Sequence, residues 1–142
     1  MNYIFLDCDG VINTKADWNR MYSINTEKVH LIAMLALQTK SEIVLISTWK
    51  KGGMDNPAVI SLNDTFKKYG VSVTKFTPDL KGRMRNNEID RFLYFNPATK
   101  YVILDDDTSL YKDGSHTKNL YVVNPNTGIT SVDVKTVVKK FF

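Results

Sequence analysis

The chain has 142 residues, of which 43% are apolar and 24% charged; this composition is typical of one globular domain, and the length is too short for two. No apolar run reaches the roughly 18 residues that a membrane helix needs, and the first residues already follow a strand pattern, so we expect a cytoplasmic protein without a signal peptide. The net charge of +4 favours anionic partners in general, and a single cysteine excludes an internal disulfide.

The first predicted element is a strand over residues 3–6, and it ends at the run Asp7-Cys8-Asp9-Gly10. Alternate side chains of an extended backbone share a face, so both aspartates can point at one ligand while Cys8 points away into the core. Gly10 allows a turn and a close approach to that ligand. Two neighbouring carboxylates need a shared proton or a cation, and Mg²⁺ suits oxygen ligands. Such residues are also typical of an ordinary turn. The residues that follow the other strands therefore distinguish a ligand site from a simple turn.

Helical and strand patterns alternate along the rest of the chain. Apolar residues recur at helical spacing over residues 26–39, with Thr26 as the expected N-cap. Continuous apolar runs over residues 42–46 and 101–104 are typical of strands buried on both faces of a parallel sheet. The remaining predicted elements are helices over residues 56–69, 85–94 and 132–142, a short strand over residues 71–73 and an outer strand over residues 120–123.

This alternation predicts an α/β fold with one domain over residues 1–142. We expect a three-layer, doubly wound, Rossmann-like sheet that is mainly parallel, with helices on both faces. In such folds the ligand binds beyond the carboxyl ends of the strands.

Polar side chains follow three of the predicted strands. Besides the two aspartates after the first strand, Ser47 and Thr48 follow the second, and a run of three acids at residues 105–107 follows the strand over residues 101–104. The two hydroxyls can donate to a phosphate, or they can cap the segment that follows. Three adjacent carboxylates repel one another unless a cation lies between them. We therefore expect a site for metal and phosphate at this edge of the sheet.

These motifs resemble those of the haloacid dehalogenase (HAD) superfamily of phosphohydrolases. The D-x-D-G run at residues 7–10 matches the first motif, Ser47 matches the second, and the acid pair Asp105-Asp106 matches the fourth. The whole set, together with segments near residues 77–89 and 128–130, is similar to the small capless branch that includes the HAD domain of Swiss Army knife RNA repair proteins.

The resemblance implies a Mg²⁺-dependent phosphatase that forms an aspartyl-phosphate. Asp7 would be the nucleophile, and Asp9 would protonate the leaving oxygen and then activate water. Asp7, the backbone carbonyl of Asp9, and Asp105 or Asp106 would bind Mg²⁺. Ser47 would bind the transferring phosphoryl group.

The third motif requires a basic residue, and the sequence offers two. Superfamily members usually have a lysine there, which selects Lys81, whereas the narrower branch places an arginine before a Glu-Ile pair, which selects Arg85. We favour Arg85, because a guanidinium group can bind phosphate through two parallel hydrogen bonds.

The neighbours of Thr48 are interpreted as structural residues. Trp49 is expected in the core rather than against a ligand, because aromatic residues near strand ends more often pack inside. The pair Lys50-Lys51 is expected at the solvated surface.

The resemblance also indicates which kinds of substrate the site can accept. The connections over residues 13–41 and 50–80 are too short for the cap domains that select substrates in this superfamily. An open site suits phosphate on large or varied substrates, with nucleic-acid ends as one candidate. The loop over residues 15–22 interleaves aromatic and basic side chains and is a candidate for a partial lid. No membrane contact and no obligate protein partner is expected.

Two other classes of function stay open at this point. One is a phosphotransferase or dehalogenase of the same superfamily, although the intact Asp9 argues against dehalogenation. The other is a non-catalytic module that binds metal and phosphate on the HAD fold.

Overall fold

A parallel sheet of five strands forms the centre of the computed structural model, which describes residues 1–111, 114 and 116–142. All of its strand pairs are parallel, and the order across the sheet is β3-β2-β1-β4-β5. The strands are β1 (Asn2–Leu6), β2 (Ser41–Leu45), β3 (Val73–Phe76), β4 (Lys100–Asp105) and β5 (Leu120–Val122).

Helices cover both faces of the sheet. They are α1 (Thr26–Thr39), α2 (Pro57–Lys67), α3 (Arg85–Phe95) and α4 (Ser131–Phe141). Side chains of α1, α2 and α4 pack in one core with Ile4 and Leu6 of β1, whereas α3 packs on the opposite face with Tyr3 and Phe5. Because alternate residues of β1 enter different cores, the strand is buried on both sides. The expected three-layer, doubly wound α/β fold is confirmed.

Two predicted boundaries are wrong for local reasons. Asn25, and not Thr26, caps α1, because the Asn25 side chain accepts hydrogen bonds from two backbone N–H groups of the first turn. The third strand begins at Val73 rather than at residue 71, because the side chain of Asn63 binds both the N–H and the carbonyl of Val73 and fixes where the strand begins. The other elements agree with the sequence to within a few residues at each end.

The order of the strands determines where a ligand can bind. From β1 the chain builds the sheet in one direction to β2 and β3, and it then crosses to β4 and β5 on the other side. The crevice between the carboxyl ends of β1 and β4 is therefore the point at which the winding reverses, where open α/β sheets bind ligands.

No domain is inserted beside this crevice in the described chain. One 3₁₀ turn and α1 connect β1 to β2, and two 3₁₀ turns and α2 connect β2 to β3. The prediction of a fold without a cap is confirmed. Among the described residues, no helix is both long enough and apolar enough to cross a bilayer.

Candidate active site

The end of β1 places two aspartates at the crevice. The backbone N–H of Asp7 donates to the carbonyl of Leu104 in β4 at 3.0 Å, so the ladder of the sheet extends to this residue. Asp7 is buried and Asp9 is exposed. Cys8 lies fully buried in the core, as predicted, and burial raises the pKa of its thiol. A buried, protonated thiol is a poor nucleophile, so Cys8 is not a candidate reactive group.

Three carboxylates meet between β1 and β4. Asp7, Asp105 and Asp106 each present one oxygen, and these oxygens lie within 4.8 Å of one another. Gly10 makes this packing possible, since its φ is 85° and a Cβ there would lie 2.5 Å from Oδ2 of Asp106.

Two of the three acids, Asp7 and Asp106, have raised pKa values. Burial raises the pKa of Asp7 well above its ordinary value, and the charge of Asp105 raises it further. Burial also raises the pKa of Asp106. Carboxylates in this arrangement share protons or surround a cation. An all-oxygen donor set fits a hard divalent cation such as Mg²⁺.

Arg85, the first residue of α3, is the cation that the structure places in this cluster. Its Nη1 lies 2.8 Å from Oδ2 of Asp105 and 3.0 Å from Oδ1 of Asp7. Although burial lowers the pKa of Arg85, the charges of the two acids outweigh it and raise the pKa overall. Lys81 is exposed, and no hydrogen bond or ion pair joins it to a described residue of the cluster. Of the two third-motif candidates, the geometry brings Arg85 into the site and leaves Lys81 outside it.

Asp105 has a further partner that the sequence did not indicate. The hydroxyl of Tyr111 donates to Oδ2 of Asp105 at 2.7 Å, and the N–H of Asp107 donates to Oδ1 at 3.1 Å. Burial and the neighbouring charge of Asp105 raise the pKa of Tyr111, so its hydroxyl stays a donor. No local pattern around Tyr111 distinguishes it from a core aromatic residue. Asp107 itself is exposed and outside the metal-competent cluster of described residues.

The second strand adds hydroxyl groups to the same site. Ser47 is buried, and its Oγ accepts a hydrogen bond from the N–H of Trp49 at 3.2 Å, so it caps the following 3₁₀ turn. This bond uses an oxygen lone pair and leaves the hydroxyl proton able to donate to a ligand. Thr48 is exposed beside it. A cavity of about 180 Å³ is lined by these hydroxyls and by Asp7, Asp9, Arg85 and Asp106.

The side chain of Asp9 is held by two N–H groups. Nδ2 of Asn13 lies 3.0 Å from one carboxylate oxygen, and Nε1 of Trp49 lies 3.3 Å from the other. Trp49 is 1% exposed, so its predicted place in the core is confirmed, although its indole N–H also reaches the site. Asn13 is fully buried, and its amide oxygen accepts the N–H groups of Gly10 and Trp18. These contacts fix the direction in which the Asp9 carboxylate points.

Lys50 was expected at the surface, and that expectation is wrong. Its side chain is buried, with Nζ 2.7 Å from Oε1 of Glu88 and 2.9 Å from Oγ1 of Thr77. Polar partners on other elements make the burial of this charge possible. Glu88 also accepts the N–H of Leu80 and lies one turn after Arg85 in α3. The ion pair therefore joins the segment that carries Ser47 to the helix that begins with the site arginine.

The fold and the site together define a class of protein. A doubly wound parallel sheet has an aspartate pair after its first strand, a hydroxyl after the second, an acid pair after the fourth and a bridging arginine. This is the arrangement of a haloacid dehalogenase-type domain, a class of phosphohydrolases.

The chain belongs to a particular family within that class. The model of the family described as the HAD domain in Swiss Army Knife RNA repair proteins matches residues 3–134. The resemblance that the motifs indicated is thus confirmed. Comparison with curated proteins and with solved structures found no match.

Proposed function

We propose that this chain is a Mg²⁺-dependent phosphatase that hydrolyses phosphomonoesters through an aspartyl-phosphate at Asp7. One observation carries the proposal: a single small cavity contains a buried carboxylate, a second carboxylate held by two N–H donors, a bridging arginine and two hydroxyls. Family membership supports chemistry of the phosphohydrolase type.

The reaction has two steps. In the first, a carboxylate oxygen of Asp7 attacks phosphorus, and Asp9 gives its proton to the oxygen of the leaving alcohol as the P–O bond breaks. In the second, Asp9 takes a proton from water, and the resulting hydroxide displaces phosphate from Asp7. Each residue returns to its starting state. The contact of Arg85 with Asp7 at 3.0 Å stabilises the ionised form that attacks.

The residues that would hold Mg²⁺ are Asp7, Asp105 and Asp106, with the backbone carbonyl of Asp9 as a further oxygen ligand. When bound, Mg²⁺ neutralises charge between the phosphate and the carboxylates, which lowers the barrier to attack by an anion on an anion. The three carboxylate oxygens, which lie within 4.8 Å of one another, support this assignment, because closely spaced carboxylates are stabilised by a hard cation between them.

The phosphate itself would be bound by Ser47, Thr48 and Arg85. The two hydroxyls lie on one wall of the cavity and the guanidinium on another. Hydrogen-bond donors from separate elements can surround a phosphoryl group as its charge redistributes.

The absence of an inserted domain in the described chain leaves the cavity open to phosphates on large molecules. The family is described by its occurrence in RNA repair proteins, which supports phosphorylated nucleic-acid ends as the substrate. We infer that the partner is a phosphorylated strand rather than another protein.

The test measures phosphate release from an aryl phosphate and from oligonucleotides with 3′- or 5′-phosphate, with and without Mg²⁺. The wild type is expected to require Mg²⁺, and Asp7→Asn is expected to be inactive. Asp9→Asn should still be phosphorylated by the aryl phosphate, whose leaving group needs little protonation, and intact-mass measurement should detect the trapped phosphoenzyme.

Asp64→Asn, a change at an exposed acid of α2, serves as the control and should behave as the wild type. If the wild type releases no more phosphate than Asp7→Asn from any of these substrates, the proposed function is wrong. Binding of Mg²⁺ and phosphate without turnover would instead identify a binding module.

A further inference from the structure

A second cavity adjoins the phosphate cavity on the side of Asp9. Its volume is about 420 Å³, within the range of roughly 300–1,000 Å³ that is usual for small-molecule sites. Asp9, Trp18 and Thr48 belong to the walls of both cavities. We call the new cavity the aromatic pocket, and its other walls are Arg20, Met21, Tyr22 and Trp49.

The walls of the aromatic pocket offer flat apolar faces. Both tryptophans of the chain are among them. Trp18 is 43% exposed and Tyr22 is 46% exposed, so both side chains are accessible, whereas Trp49 is buried. The rings of Tyr22 and Trp49 are edge to face, with centroids 5.3 Å apart. Exposed aromatic faces of this kind stack on nucleobases.

The backbone also holds Tyr22 in place. Its φ is 56°, in the left-handed region that a bulky side chain rarely adopts. Such a conformation costs free energy and persists where the surrounding contacts determine it. The edge-to-face contact with Trp49 is one such contact, and Tyr22 lines the pocket beside it.

The pocket also has a cation. Arg20 is exposed at its wall, and among the described residues no carboxylate pairs with its guanidinium group. A guanidinium group in this position can bind a phosphodiester oxygen. An aromatic surface next to a cation suits a nucleotide better than a lipid or a sugar phosphate.

Hydrogen bonds connect the aromatic walls to Asp9. The indole N–H of Trp49 reaches Asp9 directly at 3.3 Å, and that of Trp18 reaches Asn13, which in turn donates to Asp9. A general acid must contact the oxygen of the leaving group. The group that leaves must therefore lie on this side of the phosphate cavity, against the aromatic pocket.

We propose that the aromatic pocket binds the nucleobase of the leaving group, so that the chain selects phosphomonoesters of nucleosides. This inference rests on the proposed function, because it assigns Asp9 to the leaving oxygen. The shared chemistry is a phosphate monoester joined to a nucleoside, which a free nucleotide and a strand end both present. Arg20 is placed to bind the next phosphodiester, which only the strand end has.

Binding is measured with Asp7→Asn, which does not turn over, in the presence of Mg²⁺. Adenosine 3′- and 5′-monophosphates and glycerol phosphate are titrated while tryptophan fluorescence is recorded. Because both tryptophans line the pocket and only Trp18 also lines the phosphate cavity, the nucleotides should quench fluorescence clearly more than glycerol phosphate does. Adding Tyr22→Ala should weaken nucleotide binding about tenfold, the size of a lost stacking contact. Tyr22→Leu, which retains an apolar side chain, should give the same direction if the alanine variant fails to fold.

Two further arms make the test specific. Tyr94→Ala removes an aromatic ring that is 79% exposed on α3. Added to Asp7→Asn, it should leave the nucleotide affinity equal to that of Asp7→Asn alone. Arg20→Ala should weaken binding of a phosphorylated dinucleotide more than that of a mononucleotide. Equal weakening of both would overturn the role of Arg20 and favour a free nucleotide.

The two proposals fail in different ways. If nucleotides and glycerol phosphate bind alike, or if Tyr22→Ala weakens both equally, the pocket does not bind a base. Phosphate release by the wild type from an aryl phosphate would then still uphold the phosphatase. If the wild type releases no phosphate from any ester, the phosphatase proposal fails, and the fluorescence titration still decides whether the pocket binds a nucleobase.

Discussion

Arg85 contacts two acids, Asp7 and Asp105, through one nitrogen. With Nη1 shared between Asp7 and Asp105, it offsets the burial and repulsion that raise the pKa of Asp7. In the proposed mechanism Asp7 attacks as an ionised carboxylate, and a fixed positive charge at this distance favours that form. The remaining donors of the guanidinium fork can bind the phosphoryl group as charge develops on it.

Replacing Arg85 should therefore impair catalysis strongly. We expect Arg85→Ala to lower kcat for phosphomonoester hydrolysis by about 10²-fold or more, because it removes both a transition-state donor and the counter-charge of Asp7. Steady-state rates at saturating Mg²⁺ measure the effect. Lys81→Ala removes a nearby exposed cation and should leave the rate within about twofold of the wild type. A large loss in Lys81→Ala with little loss in Arg85→Ala would reverse the assignment.

At the scale of elements, the candidate active site is assembled by contacts between segments that lie far apart in sequence. The buried pair Lys50–Glu88 joins the turn after β2 to α3, and the same lysine reaches Thr77 after β3. The side chains of Lys50 and Glu88 are 6% and 10% exposed, respectively, so solvent screens the pair little. A buried charge that loses its partner pays the full cost of desolvation.

We expect Lys50→Met to lower the free energy of unfolding by about 3 to 5 kcal/mol, since it leaves the Glu88 carboxylate buried without a counter-charge. The double variant Lys50→Met with Glu88→Leu should lose clearly less free energy of unfolding, because no buried charge is then left without a partner. Urea unfolding measures both. Lys51→Met changes the exposed neighbour and should stay within about 0.5 kcal/mol of the wild type. A double variant as unstable as Lys50→Met would contradict this account of the pair.

The last strand and the last helix are joined by Tyr121 and Asp133. The hydroxyl of Tyr121 donates to Asp133, and the same carboxylate forms a capping box with Thr130 at the start of α4. Burial, then the hydrogen bond to Asp133, raise the pKa of Tyr121 to about 12. The fold therefore holds the phenol in its protonated form.

This contact should make stability depend on pH in the alkaline range. Because the pKa is raised in the folded state, the stability that Tyr121 contributes is complete below its ordinary pKa of about 10 and is lost as the pH rises through about 12. In Tyr121→Phe that part of the alkaline loss should be missing, which unfolding measured across this range can detect. Tyr94→Phe, at an exposed tyrosine, should lose stability with pH as the wild type does. Parallel curves for the wild type and Tyr121→Phe would refute the prediction.

At the scale of the whole molecule, the sheet order β3-β2-β1-β4-β5 determines the site. It places β1 between β2 and β4, so residues 7, 47 and 105 come to one edge although they lie far apart in sequence. The acidic cluster there is a concentration of negative charge on a chain with net charge +4. A divalent cation bound to the folded state alone would stabilise the whole domain.

Mg²⁺ should therefore raise the melting temperature. At about 100 times its dissociation constant, one bound ion stabilises the folded state by about 2.7 kcal/mol, which for a domain of this size corresponds to about 5 to 10 °C. Thermal unfolding with and without Mg²⁺ measures the shift. Asp106→Asn should reduce the shift strongly, whereas Asp64→Asn, outside the site, should retain it. An equal shift in Asp106→Asn and the wild type would remove Asp106 from the set of metal ligands.

The sequence by itself determined the fold class and the candidate residues of the site. Apolar runs and helical periodicity are local properties, so they identify strands and helices without knowledge of their neighbours. In a parallel α/β fold, a residue directly after a strand lies at the ligand edge, so Asp7, Ser47 and Asp105 could be assigned to one site from chain order alone. The cap of α1 lies one residue before the predicted one, because the Asn25 side chain accepts the backbone N–H groups of Glu27 and Lys28.

Only the tertiary structure decided which side chains meet. The contacts of Arg85 with Asp7 and Asp105, the burial of Lys50, and the two N–H groups that hold Asp9 depend on the packing of separate elements. The aromatic pocket likewise exists because the loop over residues 15–22 lies against Trp49. The energy of a buried charge depends on partners within a few ångströms, and those partners can lie tens of residues away in the sequence. A sequence pattern therefore identifies strands, helices and the residues that follow them. It does not show which distant side chains come into contact.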